Sequence, residues 1–235
     1  MRHVIIGAGG IGRWLTLGLA PTLTEQDSLV IVDGDSYEPH NLTRQGRTEG
    51  GKANGMSLHV RHYRVPVEAV PQFVTVDGKG DTISVSELIG HDDTVWLCVD
   101  NHATRKAVIE RCTTLDTITL ISGGNDDDQG NVIIYMRKDG VDLLPHPFAR
   151  HPELKRARRW KKPTATTHQA SCAARSEAGD GQTLRANMMA AVCMLGAFAH
   201  ISRAGGPRGV GGLPPCEVYF DIGKMKSDAK VRAIK

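Results

Sequence analysis

A strand that runs directly into a glycine-rich turn and then into a helix leaves a chain few folds to choose from. Residues 2–6, Arg-His-Val-Ile-Ile, read as a short buried strand. Gly7-Ala8-Gly9-Gly10-Ile11-Gly12 follows, and residues 13–20 are helix-like. Gly7, Gly9, Gly10 and Gly12 let backbone N–H groups approach a phosphate at the start of the helix, where the dipole favours an anion. A second apolar strand, 28–32, ends in Asp33-Gly34-Asp35. Asp33 lies 21 residues beyond Gly12, where a ribose-binding carboxylate belongs in such a fold. The glycine motif alone reads as nucleotide binding and leaves NAD, FAD, S-adenosylmethionine and ATP open.

The next stretch narrows the choice. A nicotinamide oxidoreductase needs one acid at the end of the second strand and little else. Here Asp33 and Asp35 are followed by Asn41, Arg44 and Gln45, and then by Lys52. Guanidinium and ammonium groups neutralise phosphate oxygens, and a carboxylate holds Mg²⁺, so this set suits a ligand with several phosphates and a metal. The glycine turn, Asp33-Gly34-Asp35, Asn41-Leu42-x-Arg44-Gln45, Gly51-Lys52-Ala53, and Asp100-Asn101 with Thr104-Arg105 form five ordered blocks over about the first half of the chain. In that order they resemble the ThiF/MoeB adenylyltransferase family, of the superfamily of ubiquitin-activating enzymes.

The resemblance implies an ATP-dependent adenylyltransferase that activates the C-terminal carboxylate of a small ubiquitin-like or sulfur-carrier protein. Arg44 and Lys52 would clamp phosphates, and Asp100 would hold Mg²⁺ on them. Asn41 would hydrogen-bond a phosphate, and Asp33 would take the ribose hydroxyls. Asp35, Gln45 and Asn101 would order the shell around the nucleotide. It also implies a homodimer. Two other readings stand beside it: a non-catalytic nucleotide-binding assembly subunit of the same fold, and an NAD-dependent oxidoreductase.

Composition agrees with one soluble domain over residues 1–235. The net charge of +3 is too small to imply nucleic acid by itself. No apolar run approaches the roughly 20 residues needed to span a bilayer, and the first residues enter a strand with no signal peptide. Five cysteines at irregular spacing fit a reduced cytoplasmic protein. None of Cys98, Cys112, Cys172, Cys193 and Cys216 forms a Cys-x-x-Cys pair, so the family's structural zinc is not expected.

Strand-like and helix-like runs alternate to about residue 140, which marks a doubly wound, mostly parallel α/β sheet of Rossmann type. A helix over 52–62, a third strand over 64–67 and a short helix over 85–89 are expected. Residues 94–99 form a buried strand delivering Asp100 to the carboxyl edge, and Asp100 or Asn101 caps a helix over 103–112. Strands follow at 117–121 and 132–136. Asp126-Asp127-Asp128 reads as a solvated loop.

Residues 145–180 break the pattern with four prolines and a basic run over 150–162, and read as a mobile crossover loop. Such a run is a solvated surface or meets an anionic partner; nucleic acid is the less favoured choice. Residues 181–235 supply a long helix over 182–200 and a final strand over 216–222. Ser171-Cys172, Gln182 and Asn187 are similar to the short ThiF-like proteins of bacterial plasmids and mobile elements. By that resemblance Cys172 is the candidate thioester-forming nucleophile, against a plain thiol. Arg13 is weighed as a substitute for the arginine that family dimers send into the neighbouring site, against an exposed helix position.

Overall fold

The computed structural model describes residues 1–37, 50–157, 184–203 and 213–230. Its centre is a nine-stranded sheet. β1 (Arg2–Ile6) pairs in parallel with β2 (Ser28–Val32), which pairs in parallel with β3 (Val67–Val70). On its other side β1 pairs in parallel with β6 (Thr94–Leu97), and β6 with β7 (Ile118–Asp126). The sheet then continues antiparallel through β8 (Gln129–Lys138), β10 (Glu217–Asp221) and β11 (Lys226–Lys230), with β9 (Val141–Asp142) on the flank of β8. β4 (Phe73–Thr75) and β5 (Thr82–Ser84) form a separate parallel pair.

This is the expected Rossmann-like α/β fold. The chain winds outward from β1 in both directions, so β1 and β6 flank the topological switch point. Open α/β sheets bind their ligands at the carboxyl ends of strands placed like this.

Both faces of the sheet are covered, which is why its central strands are continuous apolar runs. One face packs Ile5, Leu29, Ile31, Trp96 and Ile121 against helices α1 (Gly10–Leu19), α2 (Lys52–Val60) and, counting ahead in the chain, α6 (Leu184–Arg203). The other packs Val4, Ile6, Val30, Val95 and Leu97 under α3 (Val85–Leu88), α4 (His102–Cys112) and α5 (Pro147–Arg150). α1 contains Gly10, Gly12 and Gly18, each costing about 0.5–1 kcal/mol relative to alanine in a helix. Burying Ile11, Leu15 and Leu19 returns about 1.5–3 kcal/mol apiece, so packing outweighs the poor local propensity.

Three sequence expectations are corrected. The third strand lies at Val67–Val70, three residues later than its expected start, because those residues fall in register with Leu29 to Val32. Residues 147–156, expected within a mobile loop, fold into α5 and a 3-10 turn, Pro152–Arg156, each started by a proline and anchored by buried Phe148 and Leu154. Asp126 ends β7, and Asp127 and Asp128 make the two-residue turn into β8, with Asp126 and Asp127 exposed, in keeping with the expected solvated loop. α6 is long and apolar enough to cross a bilayer by length and composition, which the reading of short apolar runs missed. Its packing explains the composition: Ala186, Ala190, Ala191, Met194, Ala197 and Ile201 are buried in the core it shares with α1 and the sheet.

Candidate functional site

The glycine turn closes the carboxyl end of β1. Gly7 N–H donates to the Val32 carbonyl at 2.8 Å, and Cys98 N–H to the Ile6 carbonyl at 2.8 Å. Gly7 has φ +95°, and a Cβ there would stand 2.9 Å from the Cys98 carbonyl. At Gly12 a Cβ would collide with the Gly7 carbonyl oxygen. Both positions therefore demand glycine. Gly9 is the N-cap of α1 and supplies no side-chain cap, so the helix presents its first-turn N–H groups without a side-chain acceptor.

Asp33 leaves the end of β2 and turns back to this loop. Its Oδ2 accepts from Ala8 N–H at 2.7 Å, and its Oδ1 accepts from Asp35 N–H at 2.9 Å. Burial pushes its carboxyl above the ordinary range; Lys52 opposes the rise and Asp35 reinforces it. Each oxygen keeps a second lone pair for a ligand hydroxyl. Gly34, between the acids, lies so near Phe73 that a Cβ would be 2.6 Å from its ring.

Lys52 begins α2 and is fixed from both ends. Its N–H donates to the Asp35 carbonyl at 2.8 Å, and its Nζ pairs with Asp35 Oδ2 at 3.1 Å. The side chain is 12% exposed. Burial works against its charge, but Asp33, Asp35 and Asp100 together outweigh burial and lift its pKa above the ordinary lysine value. Asp33, Asp35, Lys52 and Asp100, predicted separately from sequence, thus share one electrostatic site at the switch point. The Ser36–Gly51 bridge ties the two ends of the intervening segment together.

The capping alternative is settled. Asn101 Oδ1 accepts from Thr104 N–H at 2.8 Å and caps α4, which leaves the exposed Asp100 outside the cap. Arg105, quoted only as part of a motif, proves to be a buried brace. It donates to the Val99 and Gly123 carbonyls and to Ser122 Oγ, tying the ends of β6 and β7 to α4. Arg13 is neither exposed nor free to reach a neighbouring site: it is 9% exposed, with its NH1 3.5 Å from Met56 Sδ. Helix α1 turns that position towards α2, which a sequence cannot show.

Asn41, Arg44, Gln45, Ser171, Cys172 and Gln182 lie outside the described residues. The four described cysteines are free thiols. Burial pushes Cys98 up to about 12 and also raises Cys112 and Cys193, so these three favour the unreactive thiol. Among the described residues no cluster of three or more His, Cys, Asp or Glu side chains could hold a metal ion.

Away from the switch point, Glu217 on β10 is fully buried. It accepts from Arg150 Nε at 2.9 Å and Asn131 Nδ2 at 3.1 Å, and contacts His151 Nε2 at 2.7 Å. Burial opposes its charge, yet hydrogen bonds from Tyr219, Asn131 and His151 hold its carboxyl below the ordinary range.

The sequence profile of the ThiF family matches residues 1–196. Among solved structures, the microcin C7 biosynthetic enzyme MccB in complex with N-formylated MccA aligns with a TM-score of 0.68. The identity is 16%, over 99% of this chain and 64% of that one. E. coli MccB with AMPCPP and MccA gives 0.66 at 16%, over 100% and 64%. PaaA gives 0.63 at 18%, over 97% and 63%. At these identities the likeness is one of fold, and this chain spans about 64% of the length of the MccB structures. No match was found among curated proteins.

Proposed function

Because this chain belongs to the ThiF family, we propose that it is an ATP-dependent adenylyltransferase acting on the C-terminal carboxylate of a small protein or peptide. A ubiquitin-like or sulfur-carrier protein is the substrate class the sequence motifs favour. MccB, solved in complex with N-formylated MccA, offers a precedent of the same fold with a bound partner. The observation that carries the reading is the desolvated Lys52, surrounded by Asp33, Asp35 and Asp100 at the switch point beside the glycine turn.

The residues fit ATP. Gly7 and Gly12 hold a tight turn that only glycine permits, α1 offers N–H groups to a phosphate, and Asp33 keeps lone pairs for the ribose. A phosphate oxygen offers Lys52 the ion pairing that Asp35 now supplies, so the lysine exchanges one anion for another without first leaving water. Mg²⁺, when bound, would neutralise the phosphates. With no cluster of three or more metal-binding side chains among the described residues, Asp100 would hold it together with the phosphates. The carboxylate attacks the α-phosphorus in line, forming an acyl-adenylate as the P–O bond to pyrophosphate breaks. Both reactants are anions, so positive charge and alignment supply the catalysis. Arg44 is assigned to the same clamp, and transfer of the acyl group to Cys172 as a thioester is the further step proposed. We also assign a homodimer and a cytoplasmic setting.

ATP–pyrophosphate exchange with Mg²⁺, with and without candidate carrier proteins, tests this. Lys52→Ala and Asp100→Ala should each lower carrier-dependent exchange by at least about tenfold. ATP binding without exchange for any carrier would transfer the chain to the assembly-subunit role. Absence of ATP binding would remove the proposal.

A further inference from the structure

α6 carries one polar side chain into a place where its buried neighbours are apolar. Asn187, in its first turn, is 0% exposed, and Ala186 and Ala190 beside it are buried as well. Neither Asn187 Nδ2 nor Oδ1 has a hydrogen-bond partner among the described residues. The amide lies against the nucleotide turn: a Cβ on Gly10 would stand 2.6 Å from both atoms. Gly10 is the first residue of α1, whose N-terminus lacks a side-chain cap.

These are independent observations that meet at one point. An uncapped helix start favours an anion by its dipole and its unpaired N–H groups. A buried amide with neither end satisfied is unfavourable, and native proteins seldom keep one without something to pair with it. Leucine, with the same skeleton branched at Cγ, would bury there with no polar atom to satisfy, so apolar packing does not account for asparagine here. Nor does helix capping, since Asn187 lies within the helix.

We propose that Asn187 is a nucleotide-binding residue, its NH₂ group donating to a phosphate oxygen seated at the N-terminus of α1. This rests on the ATP reading above. It extends the site from the carboxyl edge of the parallel strands to a helix near the far end of the chain. A neutral donor suits the position, because it orients the phosphate without competing with Lys52 for its charge. The absence of a side chain at Gly10 makes room for the amide.

Calorimetric titration of the full chain with Mg-ATP, AMP and adenosine, beside thermal melting, tests the assignment on the wild type, Asn187→Leu and Asn187→Asp. Asn187→Leu should melt no lower than the wild type and bind ATP and AMP about tenfold more weakly, with adenosine affinity unchanged. Asn187→Asp should weaken ATP by more than tenfold, since its carboxylate repels the phosphate, again sparing adenosine. If the leucine variant does not fold, the aspartate variant decides. Wild-type ATP affinity in the variants, or an equal loss for adenosine, would overturn the role of Asn187 alone. A wild type that binds no nucleotide would remove the ATP reading and this proposal with it.

Discussion

His3 is held between Trp96 and Phe198, with Trp96 Nε1 donating to its Nδ1 at 3.3 Å. Burial lowers its pKa from 6.5 to about 4; Asp27 acts against the shift and the N-terminal ammonium with it. The folded protein therefore binds this proton less readily than the unfolded chain. Its contribution to stability is whole above pH 6.5, declines as pH falls from 6.5 to about 4, and is level below that. The loss is on the order of 3 kcal/mol. Melting followed from pH 7 to 4 should show it, and His3→Gln should flatten the decline in that window. Gly12 makes the opposite kind of statement, geometric instead of electrostatic. Gly12→Ala places a methyl group on the Gly7 carbonyl oxygen, so it should abolish ATP binding and lower the melting temperature. A well-folded Gly12→Ala protein with unchanged affinity would show that the turn tolerates bulk.

Among the elements, α4 depends most visibly on one terminal residue. Removing the Asn101 cap should cost about 1 kcal/mol, or about 2–4 °C for a chain of this size. Asn101→Asp, which also caps, should recover most of that loss in a thermal melt. The sequence made α4 legible for the same reason: a capping residue followed by a helical run is a local signal. β1, β2 and β6 were legible as continuous apolar runs, and Asp33, Lys52 and Asp100 because each lies at an element's end, where chemistry and punctuation coincide. β5 and β9 are three and two residues long, too short for periodicity to register. β11 (Lys-Ser-Asp-Ala-Lys) has no apolar face and is a strand only because β10 offers it an edge. Its lysines and aspartate also discourage another sheet from pairing there. The order within 147–156 was invisible because its anchors are distant: Arg150 meets Glu217 across 67 residues of sequence. Asn187 carried a faint signal, one amide in an otherwise apolar helix, but its neighbour Gly10 follows only from the fold.

For the whole molecule, Glu217 is the tie between the antiparallel strands and the start of the crossover segment. Glu217→Ala would leave Arg150, His151 and Asn131 without their shared acceptor. Breaking a buried pair in this manner costs about 3–5 kcal/mol, equivalent to a fall on the order of 10 °C in melting temperature. Trypsin should then cut faster at Arg150, Lys155 and Arg156; an unchanged melt and digest would show that Phe148 and Leu154 suffice to hold the segment. The seating of α6 on Gly10 has a consequence for how the protein is made. Gly10 and Asn187 are 177 positions apart. On a ribosome adding about 5–20 residues per second, the glycine turn waits on the order of ten seconds or longer for the helix that covers it. Until then its apolar underside at Ile11 and Leu15 faces solvent or a chaperone. The turn is made early relative to α6 and is completed only when that helix arrives.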